Sequence, residues 1–124
     1  MTSEEKLGEA LKQNKNTIEI EGDLAKKVLK MKATGDVAWG ACIIALAIVV
    51  TSLVTTAATG GASIAVTGAF VASAAPTVVA VWGIPVTVSA ISIAKAGGSI
   101  DVLKKLRKYQ VKKISDQKIV LKKN

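Results

Sequence analysis

Between Val37 and Ala94 the chain carries no Asp, Glu, Lys or Arg. Fifty-eight residues without a charge constrain folding more than any other feature, because a helix on the surface of a globular domain needs a wet face. All charged residues lie in 1–36 and 95–124. A membrane-crossing helix needs roughly 20 mainly apolar residues, so the block has room for two crossings and a connection. A buried core hairpin in a soluble oligomer, or a secreted Ala/Gly-rich segment, is the lesser alternative. No secretory leader is expected, since the first apolar run starts after a mixed-charge segment and exceeds the length of an h-region.

Val37–Ala58 is the clearest span, about 33 Å long at 1.5 Å per residue, with Trp39 placed for the headgroup boundary. Thr59, Gly60 and Gly61 supply a break. Residues 62–75 are weakly hydrophobic and end at Pro76. Residues 77–94 form a second candidate span, with Pro85 expected to kink it. The expected fold is a mainly α membrane protein: a two-span helical hairpin, its second arm broken at Pro76 and Pro85, with small cytoplasmic α/β flanks. The boundaries fall at 1–36, 37–94 and 95–124. Three spans is the second choice.

Ala57, Gly61, Ala65, Ala69 and Ser73 recur every four residues. On a helix they make a stripe without bulky side chains, the pattern by which helices associate in lipid. The stripe predicts either packing of one hairpin arm on the other or self-association into a homo-oligomer.

Charge sets the expected topology. Residues 95–124 hold ten Lys/Arg against Asp101 and Asp116, and the segment before the block holds Lys26, Lys27, Lys30 and Lys32 against Asp23. Positive flanks stay cytoplasmic, so both termini are expected inside a multi-pass inner-membrane protein. Lys26, Lys27, Lys30, Lys104, Lys105, Arg107 and Lys108 are the candidate contacts to anionic lipid headgroups, each worth about 1 kcal/mol beside a membrane. The simpler reading is that they fix topology and keep the flanks solvated. Nucleic acid is not the expected partner, because the basic tail has only Tyr109 for stacking.

The flanks carry local signals. Thr2 and Glu5 have capping-box spacing ahead of Leu7 and Leu11. Thr17–Glu21 alternates as a strand, and Gly22 ends it. Asp23 starts a basic amphipathic helix with Leu24, Val28 and Met31 on one face. Ser99 caps a helix through about Lys108, and 109–114 and 118–122 read as two strands. With Thr17–Glu21 these predict a three-stranded sheet, about the minimum for independent stability.

No catalytic constellation emerges. With no histidine and one cysteine, neither a histidine-based triad, a histidine metal site nor an internal disulfide is available. No cofactor and no metal are expected, and the chain does not read as an enzyme. Cys42 lies in apolar surroundings, where a thiol is inert. No ionisable group lies in the block, which disfavours a proton-coupled transporter. Two functions remain: a self-associating, pore-forming or membrane-permeabilising protein of holin-like or toxin-like architecture, or a membrane-anchored scaffold whose flanks bind a soluble partner. A protein that inserts only on a trigger is the third.

Overall fold

The computed structural model describes residues 3–58 and 66–123, with 56–58 as backbone only. Among these residues the chain forms seven helices and three strands: α1 (Glu4–Lys12), β1 (Thr17–Glu21), α2 (Asp23–Lys32), α3 (Asp36–Ala58), α4 (Gly68–Ala74), α5 (Pro76–Trp82), α6 (Ile84–Ala96), α7 (Asp101–Lys108), β2 (Gln110–Ser115) and β3 (Lys118–Lys122). The result is a small mixed α/β fold.

The flanks build one unit. The three strands form an antiparallel sheet in the order β1-β3-β2. Ile18 faces Leu121 and Ile20 faces Ile119 across the β1–β3 ladder, and all four are buried. Glu19 and Glu21 point the other way, where Lys118 lies within 3.9 and 3.8 Å of them. The edge strand β2 exposes Lys112 and Lys113, which disfavours pairing with a further chain. Gly22, at φ +72°, turns the chain from β1 into α2 in a conformation that favours glycine. Thr2 of the expected capping box lies outside the described residues. Ser3 occupies the cap position of α1 without a side-chain bond to the helix.

The two-span hairpin is not formed. The segment expected to be its second arm divides at Gly83 (φ +82°) into α5 and α6, whose axes bend by 117°. Pro76 and Pro85 sit in the first turn of α5 and α6 respectively. There the missing N–H costs nothing, so each proline starts a helix instead of kinking one. α6 then runs through the protein core, against α1, α2, α3, α4, α5 and α7. Ala90, Ile91, Ile93 and Ala94 are fully buried, and Ser89 Oγ donates to the Glu4 carboxylate at 2.9 Å. A helix so enclosed by charged, amphipathic neighbours is covered by protein, not lipid. The descriptions transmembrane hairpin and multi-helix membrane protein are corrected on the same ground. Among the described residues one helix, α3, is long and apolar enough to cross a membrane, and the core helix of a globular protein passes that test equally.

Gly8 lets α1 approach α6 closely. A Cβ there would lie 2.4 Å from the Ile93 carbonyl oxygen. Gly97 follows α6 at this same C-terminal end and leaves room for α7, where a Cβ would strike the Val102 side chain at 2.4 Å. Ser99 Oγ accepts the Asp101 N–H at 3.2 Å and so helps to start α7.

Candidate interaction surfaces

α3 has two unlike faces. Its inner face buries Trp39, Cys42, Ile43, Leu46, Val49, Val50 and Leu53. Its outer face exposes Val37, Ala41, Ile44, Ile48, Thr51 and Thr55, spaced alternately by four and three residues. Val37 is 90% exposed, Ile44 69% and Ile48 72%. That alternation keeps a row on one side of a helix and is the spacing of a helix-pairing seam. The row contains no charge, and from Val37 to Ile48 it is wholly apolar, with the hydroxyls of Thr51 and Thr55 at its far end. Among the described residues, Val81 and Ile84, on α5 and α6, are the other large exposed apolar side chains of the uncharged block.

The N-terminal end of α3 is pinned by a cluster the sequence did not reveal. Trp39 and Trp82 pack with ring centroids 5.9 Å apart at 52°. The Arg107 guanidinium lies 4.7 Å from the Trp39 ring and bonds Asp36 through Nη2 at 2.7 Å. A guanidinium over an indole face is held by the ring quadrupole, and this compensates in part for Arg107 Nη1, which is buried without a hydrogen-bond partner among the described residues. Trp82 Nε1 donates to Thr34 Oγ1 at 2.7 Å. The indole of Trp39, expected at a headgroup boundary, is thus enclosed by protein.

Lys32 joins the two flanks. Its ammonium donates to the carbonyls of Leu106, Arg107 and Tyr109 at 2.9, 2.8 and 2.6 Å. Leu106 and Arg107 lie in the last turn of α7 and Tyr109 follows it, where helix carbonyls run short of donors; the Leu106 carbonyl also accepts the Tyr109 N–H at 3.2 Å. Burial, followed by the nearby Arg107 charge, holds the Lys32 ammonium below the ordinary lysine range.

The expected lipid contacts separate into different settings. Lys27 approaches Glu4 at 4.0 Å, Lys104 pairs with Asp101 at 3.8 Å, and Arg107 belongs to the tryptophan cluster. Lys26 and Lys30 are exposed on α2, while Lys105 and Lys108 line a cavity beside Tyr109. Of the small-residue stripe, Gly61 and Ala65 lie outside the described residues, as does the Thr59–Gly61 break. Ala57 belongs to the last turn of α3, and Ala69 and Ser73 are exposed on α4. Among the described residues no three of His, Cys, Asp and Glu gather as a metal site would require. Burial raises the Cys42 thiol above its ordinary range, which keeps it protonated and unreactive.

A family model described as "Uncharacterised protein PM1101" matches residues 1–124. The chain belongs to that family. Neither a curated protein nor a solved structure matches it. The family assignment covers both the flanks and the uncharged block, so α3 and its open face lie within the family's matched region.

Proposed function

We propose that the protein is a non-catalytic, self-associating module, and that two copies join through the outer face of α3. The observation that carries this reading is the exposed row from Val37 to Thr55, apolar or uncharged at every position and spaced by four and three. Burying such a row rewards association, because apolar area leaves water. A second copy suits it better than a charged partner, since the row offers no charge to complement. The large side chains Ile44 and Ile48 lie near its middle, with Ala41, Ala45, Thr51 and Ser52 around them. Two antiparallel copies crossing there would set each pair of isoleucines against the smaller residues of the other, in the self-complementary arrangement of a two-fold dimer.

Sedimentation velocity of the full chain in detergent-free buffer tests this. The expected result is a concentration-dependent dimer. Ile44→Lys with Ile48→Lys should weaken it by tenfold or more, since each buried isoleucine contributes about 1.5 kcal/mol or more and about 1.4 kcal/mol is tenfold. Both residues are exposed in the single chain, so circular dichroism should show its helices unchanged. A monomer at every concentration overturns the reading. If that monomer also floats with uncharged vesicles, the face belongs to lipid instead. Dye release from anionic liposomes would extend that outcome to permeabilisation.

A further inference from the structure

The sheet ends on β2, and its ladders show which backbone groups that edge leaves open. At the two ends of the β1–β3 ladder, the Lys123 N–H donates to the Asn16 carbonyl at 2.8 Å and the Gly22 N–H to the Gln117 carbonyl at 2.7 Å. Bonded and non-bonded pairs alternate along an antiparallel ladder. Ile18–Leu121 and Ile20–Ile119 are therefore the bonded pairs between those ends. Ile119 and Leu121 thus turn their backbone groups to β1. Val120 and Lys122 turn theirs to β2, where they meet Lys112 and Gln110. It follows that Val111 and Lys113 direct N–H and C=O away from the sheet. The register then shifts between Lys113 and Ser115 and leaves Ile114 as an extra residue, 52% exposed.

The side chains around this edge are mostly cations. Residues 110–123 hold five lysines and a single acid, Asp116. Asp116 lies 3.5 Å from Lys113, and Lys118 is shared by Glu19 and Glu21. Lys112 and Lys122 are exposed and form no ion pair among the described residues. They share the outer face of the sheet, because Lys112 stands opposite Val120 and diagonal to Lys122. Val111, opposite Leu121, lies on the inner face and is half-buried. Like charges across a strand pair oppose it, and opposite charges stabilise it. The lysines that turn away a second basic edge would therefore receive an acidic one. The β1 edge of another copy fits less well, since its glutamates are already held by Lys118 of their own chain.

We propose that β2 is a docking edge for an extended acidic segment of a partner protein, added antiparallel as a fourth strand. Val111 and Lys113 make the main-chain bonds. Lys112, with Lys122 behind it, selects acidic side chains on the outer face, and Val111 and Ile114 receive apolar ones. In strand addition the main chain gives affinity and the alternate side chains give specificity. This assignment is independent of association through α3.

The test is a titration of the ¹⁵N-labelled full chain with the capped peptide Val-Glu-Glu-Val-Thr-Glu at constant ionic strength. In the proposed register its second glutamate falls opposite Lys112. Saturable shifts centred on β2 are expected, and hydrogen exchange at Val111 and Lys113 should slow by tenfold or more. The amides of Gln110 and Lys112, already bonded to β3, should change little. The same peptide N-methylated at its first glutamate and second valine keeps every charge but loses both ladder donors. It should bind at least tenfold more weakly. Lys112→Glu should weaken the unmodified peptide by a similar factor, and a control reversal on α2, Lys26→Glu, should leave binding unchanged. Equal binding of the two peptides, or equal loss in the two variants, would mean diffuse charge attraction and overturn the proposal. Protection of Val111 and Lys113 that rises with protein concentration in the absence of peptide would put a second copy on this edge, and that overturns it too. So would the absence of saturable shifts in β2.

Discussion

α3 and α6 are drawn from the same uncharged stretch of sequence, and they meet opposite fates. α6 carries a charge only in its last turn, at Lys95, and α3 only in its first, at Asp36. Yet Ile91 and Ile93 of α6 are wholly buried, whereas Ile44 and Ile48 of α3 are mostly exposed. The difference comes from their neighbours. α6 is surrounded because the amphipathic helices α1, α2 and α7 return to it from both ends of the chain and turn their charges outward. α3 packs chiefly against α5 and α6, both on its inner side. Lack of charge therefore says that a helix needs covering, and the rest of the chain decides what covers it.

The sharpest way to break this comparison is to truncate one isoleucine on each helix. Ile91→Ala should cost about 2–5 kcal/mol, the range for a large-to-small change in a packed core. Ile48→Ala should change stability by less than about 0.5 kcal/mol when the protein is dilute enough to be monomeric. Urea unfolding midpoints measure both. Equal losses would mean that α3 is covered within a single chain, contrary to its exposed row. A cost at Ile48 that grows with protein concentration would instead report association through that face.

A smaller loss is expected where the flanks are joined around α6. Lys32→Met removes three hydrogen bonds and leaves the last carbonyls of α7 without an ammonium donor. The cost should be about 2 kcal/mol, because bonds to charged groups contribute roughly 1.5–3 kcal/mol and water recovers part of the loss. Amide exchange should accelerate first in α7 and β2. Unchanged protection there would show that α7 is held by its apolar face alone, through Val102, Leu103 and Leu106.

Much of the flanks was legible because their periodicities are local. The alternation of Ile18 and Ile20 marks β1, and the spacing of Leu24, Val28 and Met31 marks the buried face of α2. The uncharged block was misread because its own composition was taken to describe its surroundings. Pro85 was given the meaning it has inside a helix, whereas Gly83 at positive φ makes it the start of one. Gly8 held a readable trace of the true arrangement. A glycine between Leu7 and Leu11, amid helix-forming residues, is costly unless another backbone comes close, and here that backbone is α6. The cavity beside Tyr109 had no comparable trace, since Asn14, Lys105 and Lys123, which line it, are joined only by the folding of both ends of the chain. The same holds for Arg107 over Trp39.

Ser89 offers a finer test of whether α6 is covered by the flanks. Its hydroxyl is bonded to Glu4, 85 residues earlier in the chain. Ser89→Ala should cost about 1 kcal/mol, a typical net value for one hydrogen bond. Adding Glu4→Ala should cost less than the sum of the two single changes, because both remove the same contact. Strict additivity would show that the bond contributes nothing and that α1 is held by Leu7, Leu11 and the close approach at Gly8.

The smallest expected effect comes from the covered side of α3. Cys42 is buried there, and its thiol titrates above the ordinary range because burial penalises the thiolate. The unfolded chain therefore loses this proton at a lower pH than the folded one. Between those two values the folded state binds more protons, so stability falls as pH rises. Tyr109 acts in the same sense at higher pH, since burial raises its hydroxyl as well. Lys32 acts in the opposite sense, because its lowered value makes the unfolded chain the better proton binder below the ordinary lysine range. Comparing slopes isolates the thiol. Cys42→Ala should flatten the alkaline decline of the urea midpoint just above the ordinary thiol range and leave the higher window governed by Tyr109 and Lys32. If the two proteins decline in parallel through that first window, Cys42 is as well solvated as in the unfolded chain, and α3 would have no inner face distinct from its outer one.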